Sequence, residues 1–358
     1  MLAALATDLA QIPELHVQVL ADHRGLPGPL PGCELIVVPS PVAERALFAQ
    51  IAADVDWTLV IAPETDDALF DRCQRVEACG GRLLGSASPL VKLLSDKHRT
   101  AEHLAAHHVP CPDGIDWRAG SGNILLSSQL VVKPIDGAGS QSTYLVSDQE
   151  TLDALLAELA RQHGPQRSWR VETYRPGEAV SALAICGPAG RFVLPPCYQR
   201  MKSGATLTYH GGTYPLPPSL SKRADHLARR AVGSLNESLN EPLGFIGVDM
   251  VLGDDTSGGE DFVIEVNPRL TTSYVGLRVA SRTNLAQALL DVAAGNRPDL
   301  LFDPAPLEFD ADGTVRRLEC DDSSSLSFSK HADSQSQLAD QSTASRIQSG
   351  DKSPHSKL

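Results

Sequence analysis

Hydrophobic and polar positions along the chain switch between two rhythms. Up to about Ser86, short apolar runs at 16–20, 34–38 and 57–62 alternate with helical stretches at 42–53 and 67–78. Continuous apolar strands between helices predict a parallel sheet in a small α/β domain. The chain enters this pattern directly in an apolar helix at 2–9, where a strand usually opens such a domain, so the expectation is a true start upstream of Met1.

From residue 88 the rhythm changes. Ser88 followed by Pro89 reads as an N-cap with proline at the first helical position; the helix runs through Lys92, restarts at 95–97 and ends near His108, before Pro110 and Pro112. A strand at 130–134 ends in Lys133, a Gly/Ser turn follows, and a second strand occupies 143–146. The 151–163 segment places Leu152, Leu155, Leu156 and Leu159 on one helical face. A strand at 169–174 breaks at Arg175, Pro176 and Gly177; a meander continues through 179–185, 191–195 and 198–200. A glycine-punctuated loop spans 202–212, and helices are predicted at 220–236 and 283–293. Beyond residue 318 the composition turns to Ser, Gln and Asp, too polar to offset the entropy of ordering, so 319–358 is predicted to be a disordered tail.

Between the last two helices lie β-branched apolar runs at 244–252 and 262–267, joined by an acidic, glycine-rich turn at 253–261 that is expected in solvent. They read as an antiparallel hairpin with one acid in each strand, Asp249 and Glu265. Asn267 stands two residues beyond Glu265 and therefore on its face, since side chains alternate along a strand. Buried carboxylates are costly unless paired or metal-bound, so three converging oxygen ligands point to a hard cation such as Mg²⁺. The alternative is a hairpin whose acids face water.

Composition narrows the chemistry. The 358 residues carry a formal net charge of -13 with no offsetting basic cluster, which argues against nucleic acid as a partner. No apolar run reaches the roughly 18 residues that span a bilayer, and the N-terminus lacks the charged start of a signal peptide; a cytoplasmic protein with no membrane partner is expected. Seven scattered cysteines form no CxxC pair, so reduced, buried thiols are expected. His98, His103, His107 and His108 lack an acid or cysteine at ligand spacing and are expected to face solvent. The turn Gly137, Ala138, Gly139, Ser140, Gln141, Ser142 permits close backbone approach to an anion, and Lys133 beside it favours phosphate. It is neither a dinucleotide fingerprint, since a strand follows it, nor a Walker loop.

The order of these parts resembles the ATP-grasp superfamily over about 88–294: a helix-opening Lys97, strand-end Lys133 with a glycine hairpin, a strand break flanked by Glu172 and Glu178, then Asp249 and the Glu265-x-Asn267-Pro268-Arg269 element. The fold so implied is α/β and α+β: a pre-ATP-grasp α/β domain (1–87), a lid subdomain (88–170) and a metal and substrate subdomain (171–318). Within the superfamily the chain is similar to the tyramine-glutamate ligase group associated with methanofuran biosynthesis, on the strength of 267–276, Tyr198-Gln199-Arg200 and Tyr209-His210-Gly211-Gly212. The 253–261 turn is long for the superfamily.

The resemblance implies that Lys97 and Lys133 contact the α- and β-phosphates of ATP and that Gly137 to Ser142 close over them as a lid. Glu172, Thr173 and Tyr174 would present backbone groups to adenine, with Glu178 accepting from the ribose. Asp249, Glu265 and Asn267 would hold two Mg²⁺ ions, or Mn²⁺, and Arg269 would face the transferred phosphoryl group or the substrate carboxylate. Thr271, Thr272, Ser273 and Tyr274 would orient an amino acid whose carboxylate pairs with Arg200 or Lys202; the competing reading of 271–274 is a solvated turn with a packed tyrosine. The implied reaction joins a carboxylate, glutamate for this group, to a small amine through an acylphosphate, and admits a homodimer. An ATP-grasp enzyme with another acceptor, including a carboxylase, and a non-catalytic ATP-binding protein are the alternatives; the presence together of Lys133, Asp249, Glu265, Asn267 and Arg269 argues against the last.

Overall fold

Helix α1 (Leu2–Ala10) leads into β1 (Val17–Asp22) and β2 (Cys33–Val38), which pair in parallel. The coordinates are those of a computed structural model that describes residues 1–24, 28–140, 142–202, 204, 206–235 and 241–318, so the predicted tail, Gln141 and the end of the predicted 220–236 helix lie outside the described residues. α2 (Pro41–Asp54) starts where the Ser40 side chain accepts from the Ala43 N–H, and α3 (Ala68–Ala78) follows a short 3₁₀ turn. The run at 57–62 differs from its predicted strand: Thr58 makes one isolated parallel bridge to Leu83. Its side chains divide between two cores, Leu59 and Ile61 packing into the one that holds Leu5, Leu285 and Leu289, and Val60 and Ala62 against Leu69, Cys73 and Val91.

α4 (Ser88–Leu94) begins at Ser88 itself, with Ala87 in the capping position; the Ser88 amide and hydroxyl donate instead to Glu77, at 2.7 and 2.6 Å. α5 (Lys97–Ala106) is capped by Asp96, which accepts from the His98 and Arg99 amides and sets Lys97 at the helix start. Two of the histidines expected in solvent are partly covered: His98 Nδ1 lies 2.8 Å from Arg170 and His103 Nε2 lies 3.1 Å from the Ser234 carbonyl.

β3 (Gly114–Trp117), β4 (Leu130–Pro134), β5 (Tyr144–Val146) and β6 (Trp169–Thr173) form an antiparallel sheet in the order β3-β6-β4-β5. α6 (Gln149–His163), capped by Asp148, lays Leu152, Leu156 and Leu159 against Trp117, Val132 and Trp169.

The larger sheet has eight strands: β7 (Glu178–Gly187), β8 (Gly190–Val193), β9 (Cys197–Lys202), β10 (Thr208–Tyr214), β11 (Gly244–Leu252), β12 (Phe262–Asn267), β13 (Leu307–Asp310) and β14 (Val315–Arg317). Its order is β12-β11-β7-β9-β10-β13-β14, with β8 beside β7. α7 (Pro218–Ser234) covers one face together with α4 and α5, burying Val180, Ile246 and Val248. α8 (Ser273–Ala280) and α9 (Leu285–Ala293), joined by α1, cover the other, burying Leu183, Phe245 and Leu289. α8 takes up Ser273 and Tyr274 of the 271–274 run, where a solvated turn with a packed tyrosine is the competing reading. Asp8 of α1 anchors it, accepting from the Tyr274 hydroxyl at 2.6 Å and from Arg278 Nε at 2.8 Å.

The 253–261 turn is exposed over most of its length but anchored at its end, where buried Asp261 accepts from Arg223 Nε at 3.0 Å and from the Gly253 amide at 3.2 Å. Among the described residues no helix is long and apolar enough to cross a membrane.

Candidate active site

The four-stranded and eight-stranded sheets face each other across a cavity of about 280 Å³. Lys133, Glu172, Thr173 and Tyr174 line it from one sheet, with Lys97 from α5; Ser181, Asp249, Glu265 and Asn267 line it from the other.

On the second wall, β11 and β12 pair so that Asp249 sits directly opposite Glu265 and Gly247 opposite Asn267. The register shifts between Asp249 and Met250, a β-bulge that lets Ile264 as well as Glu265 line the cavity. Asn267 Nδ2 donates to Asp249 Oδ2 at 3.1 Å, and Gln199 Nε2 of β9 donates to Oδ1 at 2.9 Å. A Cβ on Gly247 would come within 2.3 Å of Thr271 Cγ2, so glycine is what allows Thr271 to fold over this strand. Burial, and then the facing Glu265, push the Asp249 carboxyl up to about 7. Lys97 Nζ lies 2.9 Å from Glu265 Oε1.

Two enclosed carboxylates so close, with an amide oxygen beside them, make a donor set short of positive charge. Among the described residues no group of three His, Cys, Asp or Glu is placed to hold a metal. Mg²⁺ is commonly held by one or two carboxylates, waters and substrate phosphates, which is the donor set that Asp249, Glu265 and Asn267 present. The residues present therefore fit the ion.

The opposite wall is basic and equally enclosed. Lys133, 4% exposed, lies with Nζ 2.5 Å from Glu172 Oε1 and donates to the Ile264 carbonyl at 3.4 Å, which ties the two sheets together. Glu172 Oε2 accepts from Arg170 Nε at 2.6 Å, and Arg170 donates onward to the Pro112 carbonyl at 2.7 Å.

Gly137, Ala138, Gly139 and Ser140 roof the cavity. Gly137 and Gly139 take φ of 146° and 70°, which a side chain would resist. Lys97 Nζ donates to the Gly137 carbonyl at 2.8 Å, and the root of the hairpin is clasped twice: Asp136 Oδ2 accepts from the Asp66 amide of the N-terminal domain at 2.9 Å, and Oδ1 lies 2.9 Å from Arg167 Nη2 just before β6. Asp136→Ala should therefore raise KM for Mg-ATP about tenfold, the value of one charge-assisted hydrogen bond, with kcat within about twofold. Initial rates against nucleotide concentration check this; an unchanged KM rules out the clasp.

Several predicted site residues lie elsewhere. Arg200 turns out of the cavity to pair with Glu308 and Asp310 of β13. Lys202 is exposed and outside the lining. Strand alternation is the reason: Gln199 and Met201 face in, so Arg200 and Lys202 face out. The same alternation turns Ala179 and Ser181 inward and leaves Glu178 exposed outside the lining. Ser142 is also exposed and outside it. Tyr274 is fully buried beneath α1, held by Asp8, whereas Thr271, Thr272 and Ser273 do line the cavity.

The chain contributes residues that sequence reasoning did not assign to the site, although Gln199 and Tyr209 stand in the motifs quoted for the resemblance. Gln199, Met201, Leu207 and Tyr209 form the far wall beside Thr271 and Thr272; burial, then the nearby Asp249, raise the Tyr209 phenol above its ordinary range. Arg269 also lines the cavity and is gripped by Glu64, 205 residues away in the N-terminal domain. The available signal for Glu64 was its place just past an apolar run of an α/β domain, where the carboxyl ends of strands gather ligands.

Comparison with known proteins agrees with this architecture. The ATP-grasp domain family matches residues 94–273, and the pre ATP-grasp 3 domain family matches residues 15–91. Tyramine–L-glutamate ligase of Methanocaldococcus jannaschii is 25% identical over 252 residues, 70% of this chain and 66% of the relative, slightly under two thirds of its length. Among solved structures, L-amino acid ligase from Bacillus licheniformis superposes with a TM-score of 0.68 at 17% identity, covering 85% of this chain and 76% of that one. N5-carboxyaminoimidazole synthetase from Staphylococcus aureus, complexed with ADP, gives 0.66 at 13% identity, over 86% and 78%. A nucleotide-sized cleft between two sheets, basic on one wall and acidic on the other, stands within those matched segments, and the chain belongs to the ATP-grasp family.

Proposed function

We propose that this chain is an ATP-dependent carboxylate–amine ligase that releases ADP and phosphate and joins L-glutamate to a small amine such as tyramine. The observation that carries the reading is the opposition of Lys97 and Lys133 to Asp249, Glu265 and Asn267 across one cavity, continued into a wall of neutral hydroxyl, amide and aromatic groups. The tyramine–L-glutamate ligase relatives support the choice of substrates.

In this reading Lys133 and Lys97 take the α- and β-phosphates beneath the 137–140 roof, and the chain segment at Thr173 and Tyr174 offers backbone groups to the base. Asp249, Glu265 and Asn267 would hold Mg²⁺, and the ion would supply Lewis-acid neutralisation of phosphate charge. A substrate carboxylate oxygen attacks the γ-phosphorus and ADP leaves, with Arg269 drawing charge from the transferred group. The amine nitrogen then bonds to the acyl carbon, loses a proton, and phosphate departs with the C–O bonding pair. Thr271 and Thr272 orient the carboxylate substrate, while Gln199 and Tyr209 close the cavity behind it. No side-chain nucleophile is required, because the chain's contribution is placement and charge.

ADP release measured with Mg-ATP and glutamate over a panel of amines that includes tyramine tests the reading. Release should depend on the amine, and hydroxylamine in its place should yield a hydroxamate from the trapped acylphosphate. Amine-dependent release no higher than that of Glu265→Ala would reject the ligase.

A further inference from the structure

We propose that Glu64, contributed by the N-terminal domain, is the positioning residue that orients Arg269 over the reacting phosphate. The inference rests on the reading of Arg269 given above and deepens it. Glu64 is 2% exposed, and both of its oxygens are spent on one guanidinium: Arg269 Nε donates to Oε1 at 2.8 Å and Nη2 to Oε2 at 3.0 Å. Arg269 Nη1 donates to the Leu270 carbonyl at 3.1 Å. A guanidinium carries five N–H groups, so these bonds engage three and leave one on each Nη for the cavity that Arg269 lines. A planar fork held on three sides has little rotational freedom, and the edge it presents to the cavity is set by Glu64.

The backbone that carries Glu64 is itself fixed. Asp66 and Asp67 take left-handed φ of 53° and 58°, unusual for residues with side chains, and Asp67 is held by Lys92 Nζ at 2.6 Å. The Asp66 amide of the same turn is the one that clasps Asp136 at the root of the glycine roof. One turn of the N-terminal domain thus sets both the arginine and the lid. A pair serving fold stability alone would not need to hold a cavity-lining guanidinium on its non-cavity side while another bond in the same turn fixes the lid.

The test compares Glu64→Gln, Arg269→Ala and the double variant in the full chain by steady-state kinetics, with calorimetric Mg-ATP binding and thermal unfolding alongside. Glu64→Gln keeps shape and loses charge; it should lower kcat by about 10- to 100-fold, the effect of a misplaced catalytic group, while Mg-ATP affinity stays within about twofold. In the Arg269→Ala background the same change should add less than about twofold, since Glu64 acts through the arginine. Should Glu64→Gln not fold, Glu64→Asp keeps the charge one methylene short, and a similar loss of kcat with intact Mg-ATP binding is expected. A kcat within about twofold of the parent in either folded variant, with Arg269→Ala inactive, overturns the proposal and leaves the role of Arg269 standing; an active Arg269→Ala overturns that role itself.

Discussion

Glu265→Ala should lower amine-dependent ADP release by at least about a thousandfold without unfolding the protein. Glu265 is one of two carboxylates that face each other from β11 and β12, and the like charge of each raises the cost of the other. Without a metal ion their adjacency raises the cost of keeping Asp249 charged and is offset at Glu265 by the Lys97 ammonium 2.9 Å away, so removing Glu265 changes the stability of the fold little. Lys97 loses its partner at 2.9 Å but keeps the Gly137 carbonyl at 2.8 Å, so no buried charge is stranded without a bond. What disappears is half of the carboxylate charge that fixes the cation against the nucleotide. Loss of a single preorganised electrostatic group commonly costs about 10²- to 10³-fold in rate, and a metal ligand acts on every phosphate oxygen the ion touches. Calorimetric titration of the ADP complex with Mn²⁺ gives the second readout and should show weakened ion binding with the melting temperature unchanged or higher. Activity within tenfold of the parent would exclude Glu265 as a ligand.

The contrast between the two walls explains what sequence reasoning recovers. The β11–β12 hairpin is legible because its period of two, its β-branched residues and the acid in each strand are local facts. That Asp249 stands opposite Glu265 is not legible, since the nine residues at 253–261 and a bulge near Ile264 set the register. Lys133 is legible as a strand end beside a glycine turn. Its pairing with Glu172 depends on β4 and β6 being neighbours, which the intervening helix α6 hides.

Where local reasoning chose charged residues, folding chose their neighbours. Arg200 and Lys202 drew attention by charge, yet the cavity takes Gln199 and Met201, and the acids that claim Arg200 lie more than 100 residues later in β13. Tyr274 does not reach the substrate for a related reason: it is packed, as the competing reading of 271–274 has it, and α8 holds it beneath Asp8 of α1. Glu64 carries no local signal beyond its position after an apolar run. Contacts spanning the whole chain, such as Glu64 to Arg269, belong to tertiary structure, and a single sequence records them nowhere.

Lys133→Met should weaken Mg-ATP binding about 10- to 100-fold, the value of one hydrogen bond to a charged group at about 1.5–3 kcal/mol, and lower kcat/KM by about a thousandfold or more. Removing one partner from a buried ion pair ordinarily destabilises by about 3–5 kcal/mol because a lone charge remains. Here Glu172 is shared: its Oε2 keeps Arg170 Nε at 2.6 Å, and Arg170 keeps the Pro112 carbonyl and His98. The group left behind is therefore a pair, and methionine fills most of the volume of the lysine stem. Besides its pair with Glu172, Lys133 gives up the 3.4 Å bond to the Ile264 carbonyl, one of the contacts between the two sheets. Glu172→Gln makes the complementary case, leaving Lys133 and Arg170 with the neutralising charge between them removed, and should cost more in stability than Lys133→Met. If Lys133→Met binds Mg-ATP as tightly as the parent by calorimetry, Lys133 does not touch phosphate. Its pairing with Glu172 is then a strut between β4 and β6.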